Sequence, residues 1–129
     1  MSPSIQRARK FFLIVCPSLS SVEQKLLSHA LHLALEHMDR CKPFRFTADI
    51  YQPIAHTYQL SVCRVRSEMA KAIRQCWQDE NNQLLHAVIG CRLPQQPKPC
   101  EFLRYCAHYL HYGEPYYPLM EEEEPDASL

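Results

Sequence analysis

The sequence predicts an α+β fold, a ferredoxin-like βαββαβ sandwich with an additional C-terminal helix and an acidic tail. Two observations predict it. Short apolar or alternating stretches and longer amphipathic stretches follow one another in the order strand, helix, strand, strand, helix, strand. The two middle strands are separated only by a short turn, as in the central hairpin of a split pair of strand-helix-strand units.

The first strand is predicted at residues 11–16, where six apolar residues are rich in strand formers and too few for a helix. Pro17 ends this strand. Ser20 and Glu23 then have the spacing of a capping box, so a helix should begin there. Its apolar positions fill an arc of about 220°, which indicates burial on two sides, and Pro43 closes it.

A hairpin is predicted for the middle of the chain. Residues 44–51 alternate between apolar and polar side chains, as in a half-exposed strand. Residues 52–57, which include Pro53, make the turn, and residues 58–65 alternate again.

The second half of the predicted sandwich begins with a helix that Ser67 can cap and whose apolar residues share one face. Residues 84–93 are apolar on both faces apart from His86 and predict the fourth strand. A proline-rich connector follows, and residues 101–112 predict a third helix that Gly113 ends.

One domain is expected from this order. Residues 1–10 are predicted as a flexible basic N-terminus, residues 11–113 as a single α+β domain, and residues 114–129 as an acidic disordered tail. The apolar character of both faces of the sheet requires a cover, which the third helix or a second copy could supply. The expected assembly is a homodimer.

Composition excludes several classes of protein. No apolar run exceeds six residues, so no membrane segment is expected, and the protein should be intracellular, in the cytoplasm, the nucleus or both. Only two glycines occur, and the chain has neither a Walker loop nor a dinucleotide-binding fingerprint. We therefore expect no cofactor.

Charge is divided unevenly along the chain. All 14 Lys and Arg precede Gly113, whereas residues 114–129 hold six of the 14 acidic residues, which leaves a formal charge of +6 on the body. Four cations cluster at the start of the second predicted helix and could bind RNA or single-stranded nucleic acid through the phosphate backbone. They are Arg64, Arg66, Lys71 and Arg74.

The cysteines and histidines could serve simple packing, a catalytic thiol or a metal site. The seven cysteines are scattered without a CxxC pair, which favours reduced thiols over a disulfide framework. A nucleophile at Cys16, before a helix N-terminus, is one alternative, but an anion-binding arginine and a nearby base are missing from the sequence around it. His108 and His111 could supply two zinc ligands, but no paired ligand motif accompanies them. We expect neither catalysis nor a metal site.

One segment resembles a known family. Residues 65–89, notably Val65-Arg66, Glu68 and residues 87–89, are similar to the strand-helix-strand segment of small early regulatory proteins of adenoviruses. Size, scattered cysteines and the acidic tail are also similar to those of small orphan accessory proteins of RNA viruses. Either resemblance implies a regulator that assembles with itself and with host proteins, and neither transfers any site residue.

The leading hypothesis is a non-enzymatic accessory protein that acts by self-association and protein-protein contacts. Its C-terminal tyrosines and leucine, Tyr116, Tyr117 and Leu119, could form a linear peptide for a partner's groove. Binding of RNA or single-stranded nucleic acid is the first alternative, and a cysteine-dependent enzyme at Cys16 is the second.

Overall fold

The computed structural model describes residues 3–39, 45, 47–78, 83–90 and 95–115 of the chain. Over this part of the chain the protein is helical and has no strand, so the predicted α+β ferredoxin-like sandwich is wrong. In chain order the elements are α1 (Pro3–Val15), α2 (Ser21–Asp39), a π-helix (Thr47–Tyr51), α3 (Gln52–Tyr58), α4 (Val62–Gln78), α5 (Gln83–Ile89) and α6 (Pro99–Tyr112).

The apolar run that predicted the first strand is the C-terminal half of α1. Ala8, Phe11, Phe12 and Val15 have helical spacing and are buried. Leu13 and Ile14 of the same run are exposed, at 57% and 65%. A short apolar run does not by itself distinguish a strand from a helix, and here the helical spacing of the buried residues decides.

The predicted helix after Pro17 is confirmed as α2, and its capping box is formed. The backbone N–H of Glu23 donates to Ser20 Oγ at 3.2 Å, and the N–H of Ser20 donates to Glu23 Oε1 at 3.0 Å. The wide apolar arc also has its explanation, because α2 lies at the centre of the bundle and contacts α1, α3, α4 and α6. Helices, not a sheet, cover its sides.

The predicted hairpin and fourth strand are replaced by helices. The alternating stretch that ends at Tyr51 contains the π-helix, whose Ile50 and Tyr51 are buried. Residues 58–65 hold the end of α3, a turn and the start of α4, and residues 84–89 lie in α5. The expected third helix is confirmed as α6, which Gly113 ends at a φ of 74°.

The core is formed by side chains from all of these helices. Phe12 of α1 stacks on Phe102 of α6, with ring centroids 6.2 Å apart and planes 10° from parallel. Since the described part of the chain contains no sheet, the open apolar sheet face that favoured a homodimer does not exist there. Other fully buried side chains at the centre are Leu27, Leu31, Ile54, Met69, Ile73 and Leu103.

A disulfide joins Cys16, directly after α1, to Cys76 in the last turn of α4. Both residues are buried, and their Cα atoms lie 5.3 Å apart. The expectation of reduced thiols is wrong for this pair, because a separation of 60 positions in the sequence hid their proximity in the fold. Cys63, Cys100 and Cys106 are free.

Within the described ranges, none of the helices combines the length and the apolar character that a bilayer-spanning segment requires.

Candidate nucleic-acid interface

Two consecutive helices, α3 and α4, are joined by a tight turn of three residues. Gln59 ends α3 in the left-handed conformation, at φ 57° and ψ 47°. The N–H of Leu60 donates to the carbonyl of Ala55 at 2.9 Å, which closes the end of α3. A short turn between two helices is the connection of a helix-turn-helix.

The start of α4 is fixed by Ser61. Its Oγ accepts a hydrogen bond from the N–H of Arg64 at 3.0 Å, and its carbonyl accepts one from the N–H of Val65 at 3.0 Å. Ser61 is therefore the capping residue. Ser67, the cap expected from the sequence, lies inside α4 and is exposed.

The two faces of α4 differ sharply in chemistry. At 100° per residue, Arg64, Lys71 and Arg74 fall within an arc of about 80°, and all three are exposed. Ser67 and Gln78 lie in the same arc and are exposed as well. We call these five residues the basic face of α4. The opposite face packs into the core through Val65, Met69, Ala72, Ile73 and Cys76.

Arg66, the fourth cation expected at this site, is not on the basic face. It projects from the flank of α4, where its guanidinium carbon lies 5.6 Å from the centre of the Tyr51 ring. Burial raises the pKa of Tyr51, and the charge of Arg66 acts in the opposite direction. The structure thus brings three of the four expected residues together and holds Arg66 apart against the π-helix.

Arg64 begins the basic face. Its Nε lies 3.4 Å from Oε1 of Glu68, one turn further along α4. The Arg64 side chain is nevertheless 63% exposed. A surface ion pair of this kind contributes little to stability, so Arg64 can exchange Glu68 for another acceptor at small cost.

The other expected sites are not assembled in the described residues, or lie outside them. Tyr116, Tyr117 and Leu119 and the rest of the acidic tail from residue 116 are outside the described residues. Cys16 is buried and disulfide-bonded, so it is not a free nucleophile. No group of three His, Cys, Asp or Glu side chains that could hold a metal ion occurs among the described residues.

Sequence reasoning missed the turn at residues 59–61. The signal was present, because Ser61 stands three residues before Arg64 and is followed by apolar residues at helical spacing. The short alternation of residues 58–65 matched a strand equally well and concealed that signal.

A known protein family matches most of the chain, including this turn and both helices. A family model described as "Sporulation initiation factor Spo0A C terminal" matches residues 20–110, more than two thirds of the chain and the whole of α3 and α4. No curated protein and no solved structure matches the chain. The viral resemblance of residues 65–89 is wrong, because that segment lies inside the range that this different family covers.

Proposed function

Because the chain belongs to the family of the sporulation initiation factor Spo0A C-terminal region, we propose that it is a non-enzymatic regulator that binds duplex DNA through α3 and α4. One observation carries the proposal. Helix α4 follows α3 after a turn of only three residues. The basic face of α4 is exposed, and its opposite face packs into the core.

The order of the two helices supports a role for each. In helix-turn-helix proteins the second helix enters the major groove and its N-terminal residues contact base edges, while the first helix crosses the backbone. Arg64 and Ser67 lie in the first two turns of α4, and Lys71 follows one turn later. An arginine at such a position can donate two hydrogen bonds to O6 and N7 of guanine. We assign base contacts to Arg64 and Ser67.

The remaining cations suit the phosphate backbone. Lys71 and Arg74 continue the basic face toward the C-terminal half of α4. When the N-terminal turns of α4 contact base edges, we expect these two side chains to lie farther from the bases. Arg66, held beside Tyr51, is placed for a phosphate on one flank. Such contacts position the protein and make its affinity depend on salt, but they carry no sequence information.

Duplex DNA replaces the RNA or single-stranded target that the sequence suggested. That expectation rested on the cluster of cations alone, and contacts to phosphates do not distinguish one nucleic acid from another. The described part of the chain has no sheet on which bases could stack, as they do in RNA-recognition modules. A helix with an exposed basic face fits the major groove of B-form DNA instead. With this role the protein acts in the compartment that holds the DNA.

Fluorescence anisotropy with labelled oligonucleotides tests the proposal. The full chain is titrated with a mixed-sequence DNA duplex, with one of its single strands and with the matching RNA. We expect the duplex to bind most tightly and log affinity to fall linearly with log salt concentration. Arg64→Ala should weaken duplex binding by about fivefold to 100-fold. Arg104→Ala, which removes an exposed cation of α6, is the matched control and should have no effect.

Two results would overturn the proposal. One is an absence of duplex binding at low salt by a protein whose circular dichroism spectrum is helical. The other is equal loss of affinity in Arg64→Ala and Arg104→Ala, since nonspecific charge would then explain the binding.

We also propose that the protein self-associates, and an apolar groove between α1, α5 and α6 supports this. The groove has a volume of about 220 Å³ and includes Ile14 and Leu84, both largely exposed. Exposed apolar patches commonly mark interfaces, and helix-turn-helix proteins often read two half-sites as dimers. Light scattering should show a dimer that Ile14→Glu dissociates. A wild-type monomer at the concentrations that saturate DNA would contradict this part of the proposal.

We propose two roles for the C-terminal segment, contact with a protein partner and competition with DNA. Tyr116, Tyr117 and Leu119 are proposed contacts for a protein partner, and the acidic residues after them are proposed to compete with DNA for the cations of the body. Removal of residues 121–129 should therefore raise duplex affinity, most strongly at low salt. Unchanged affinity would remove the competition from the proposal.

A further inference from the structure

A second concave site lies apart from the basic face of α4. It is a pocket of about 200 Å³ at the corner where α1, α2 and α3 meet. Ile5 and Arg9 stand one turn apart on α1, Lys25 and Ser28 one turn apart on α2, and Tyr58 is the last residue of α3. None of the five lies on α4, so the pocket is separate from the proposed DNA contacts.

Ser28 is the unusual member of this pocket. It is only 2% exposed, and its Oγ has no hydrogen-bond partner among the described residues. A buried hydroxyl without a partner costs about 1–3 kcal/mol, so such groups are normally paired in folded proteins. Because Ser28 lines the pocket, a ligand atom that accepts a hydrogen bond there would remove this cost.

The charged side chains in the described lining of the pocket are cationic. They are Arg9 and Lys25, and none of the described residues that line the pocket is acidic. Arg9 acts on Tyr58 as well: burial raises the pKa of the Tyr58 phenol, and the charge of Arg9 partly opposes that rise. The phenol stays protonated at neutral pH and remains a hydrogen-bond donor. Two charged donors and two hydroxyl donors thus border one small space.

The rest of the lining is apolar. Ile5, the ring of Tyr58 and the methylene stems of Arg9 and Lys25 can supply these walls, since all four residues line the pocket. A cavity of about 150 Å³ is large enough for benzene, so this pocket accepts a ligand with one ring or a short chain. A small inorganic anion would match the cations but leave the apolar walls without contacts.

We propose that this pocket binds a small organic carboxylate whose body is apolar, such as an aromatic or short-chain acid. The carboxylate pairs with Arg9 and Lys25 and accepts a hydrogen bond from Ser28. The apolar body lies against Ile5 and the Tyr58 ring. Because Tyr58 immediately precedes the turn at residues 59–61, an occupied pocket contacts the first helix of the helix-turn-helix.

Nuclear magnetic resonance titration of the full chain tests this inference with benzoate as the probe. Benzamide is the neutral isostere, and inorganic phosphate is the purely polar anion. We expect benzoate to shift the amide resonances of residues 5–9, 25–28 and 58 along saturating curves. Benzamide should bind at least tenfold more weakly, because it lacks the charge that Arg9 and Lys25 complement. Phosphate should not saturate the same resonances.

Variants identify the groups responsible. Arg9→Met keeps an apolar stem, removes one charge and should weaken benzoate about tenfold. Ser28→Ala removes only the buried hydroxyl, leaves the fold intact and should weaken benzoate about threefold to tenfold. Lys10→Met, which removes the next cation of α1, is the matched control and should bind benzoate as the wild type does.

Equal binding of benzoate and benzamide would overturn the inference, as would tighter binding of phosphate than of benzoate. So would an Arg9→Met protein that binds benzoate like Lys10→Met. None of these results would affect the DNA-binding proposal, because the variants do not alter the basic face of α4.

Discussion

The guanidinium group of Arg66 lies over the ring of Tyr51, with its central carbon 5.6 Å from the ring centroid. The contact links the flank of α4 to the last residue of the π-helix, just before α3. A cation above an aromatic face at a partly exposed site contributes about 0.5–1 kcal/mol. Arg66→Met should therefore lower the free energy of unfolding by about that amount, measured by urea denaturation.

Arg74→Met provides the comparison for this prediction. Arg74 is an exposed cation of the same helix, on the basic face. Its replacement should change the free energy of unfolding by less than about 0.5 kcal/mol, as is usual for surface sites. Equal effects of the two substitutions would mean that the Tyr51 ring does not stabilise Arg66.

The left-handed residue of the turn offers a route to a more stable protein. Gln59 adopts a φ of 57°, which costs a residue with a Cβ atom about 1 kcal/mol relative to glycine. Gln59→Gly should raise the urea midpoint. Thr57→Gly, two residues earlier inside α3, should instead lower it slightly, because glycine is somewhat less favourable than threonine within a helix. A Gln59→Gly protein less stable than the wild type would contradict the conformation of this turn.

The disulfide between Cys16 and Cys76 should be a major source of stability. A cross-link that closes a loop of this length restricts the unfolded chain and typically contributes about 2–4 kcal/mol. Thermal denaturation of the wild type should therefore shift to lower temperature on addition of a thiol reductant. Cys76→Ala should unfold at the lower temperature whether or not reductant is present. Cys63→Ala should behave as the wild type. An identical response of all three proteins would be evidence against the cross-link.

Stability should also depend on pH through His29. Burial lowers the pKa of this histidine, nearby His32 lowers it further, and Glu36 opposes the shift. As pH falls below about 6.5, the unfolded chain takes up a proton at this residue before the folded chain does. The contribution of His29 is therefore complete above about pH 6.5 and is lost progressively at lower pH.

His29→Gln isolates this effect. Urea denaturation at about pH 7.5 and about pH 5.5 should show a smaller loss of stability in the variant than in the wild type. His56→Gln is a control, since His56 is exposed on α3. The prediction fails if wild type and His29→Gln lose the same free energy between the two pH values.

Two signals at helix ends predicted the structure correctly, although the cap expected at Ser67 did not, because Ser67 lies inside α4. The Ser20 and Glu23 pair predicted the start of α2, and Gly113 predicted the end of α6. Both predictions depend on local backbone chemistry, in which one side chain pairs with a neighbouring N–H or one residue adopts a positive φ. Such signals act over three or four residues and do not require knowledge of the rest of the fold.

Short apolar stretches did not predict whether a segment is a strand or a helix. In residues 11–16 the helical spacing of Phe11, Phe12 and Val15 was masked by Leu13 and Ile14, which are apolar but exposed. Whether those two side chains face the core or solvent depends on what packs around α1, which a single sequence does not encode locally. The strand interpretation of residues 84–93 failed for the same reason over its described part, residues 84–90, where Leu84 is apolar and half exposed.

The sequence predicted some of the residues of the candidate interface. Arg64, Arg66, Lys71 and Arg74 cluster in the sequence, and three of them, Arg64, Lys71 and Arg74, do share the basic face of α4. Arg66 was grouped with them by proximity in sequence, although it occupies the flank against Tyr51. The turn on which the proposed helix-turn-helix depends follows α3, a helix that the sequence did not predict.

The bond from Cys16 to Cys76 encloses α2, the π-helix, α3 and most of α4 in one covalent ring. A protease that cuts the backbone anywhere within that ring opens the chain without releasing a fragment. The nicked molecule would migrate as a single species on a gel run without reductant and separate into two pieces only when the sulfur bridge is broken.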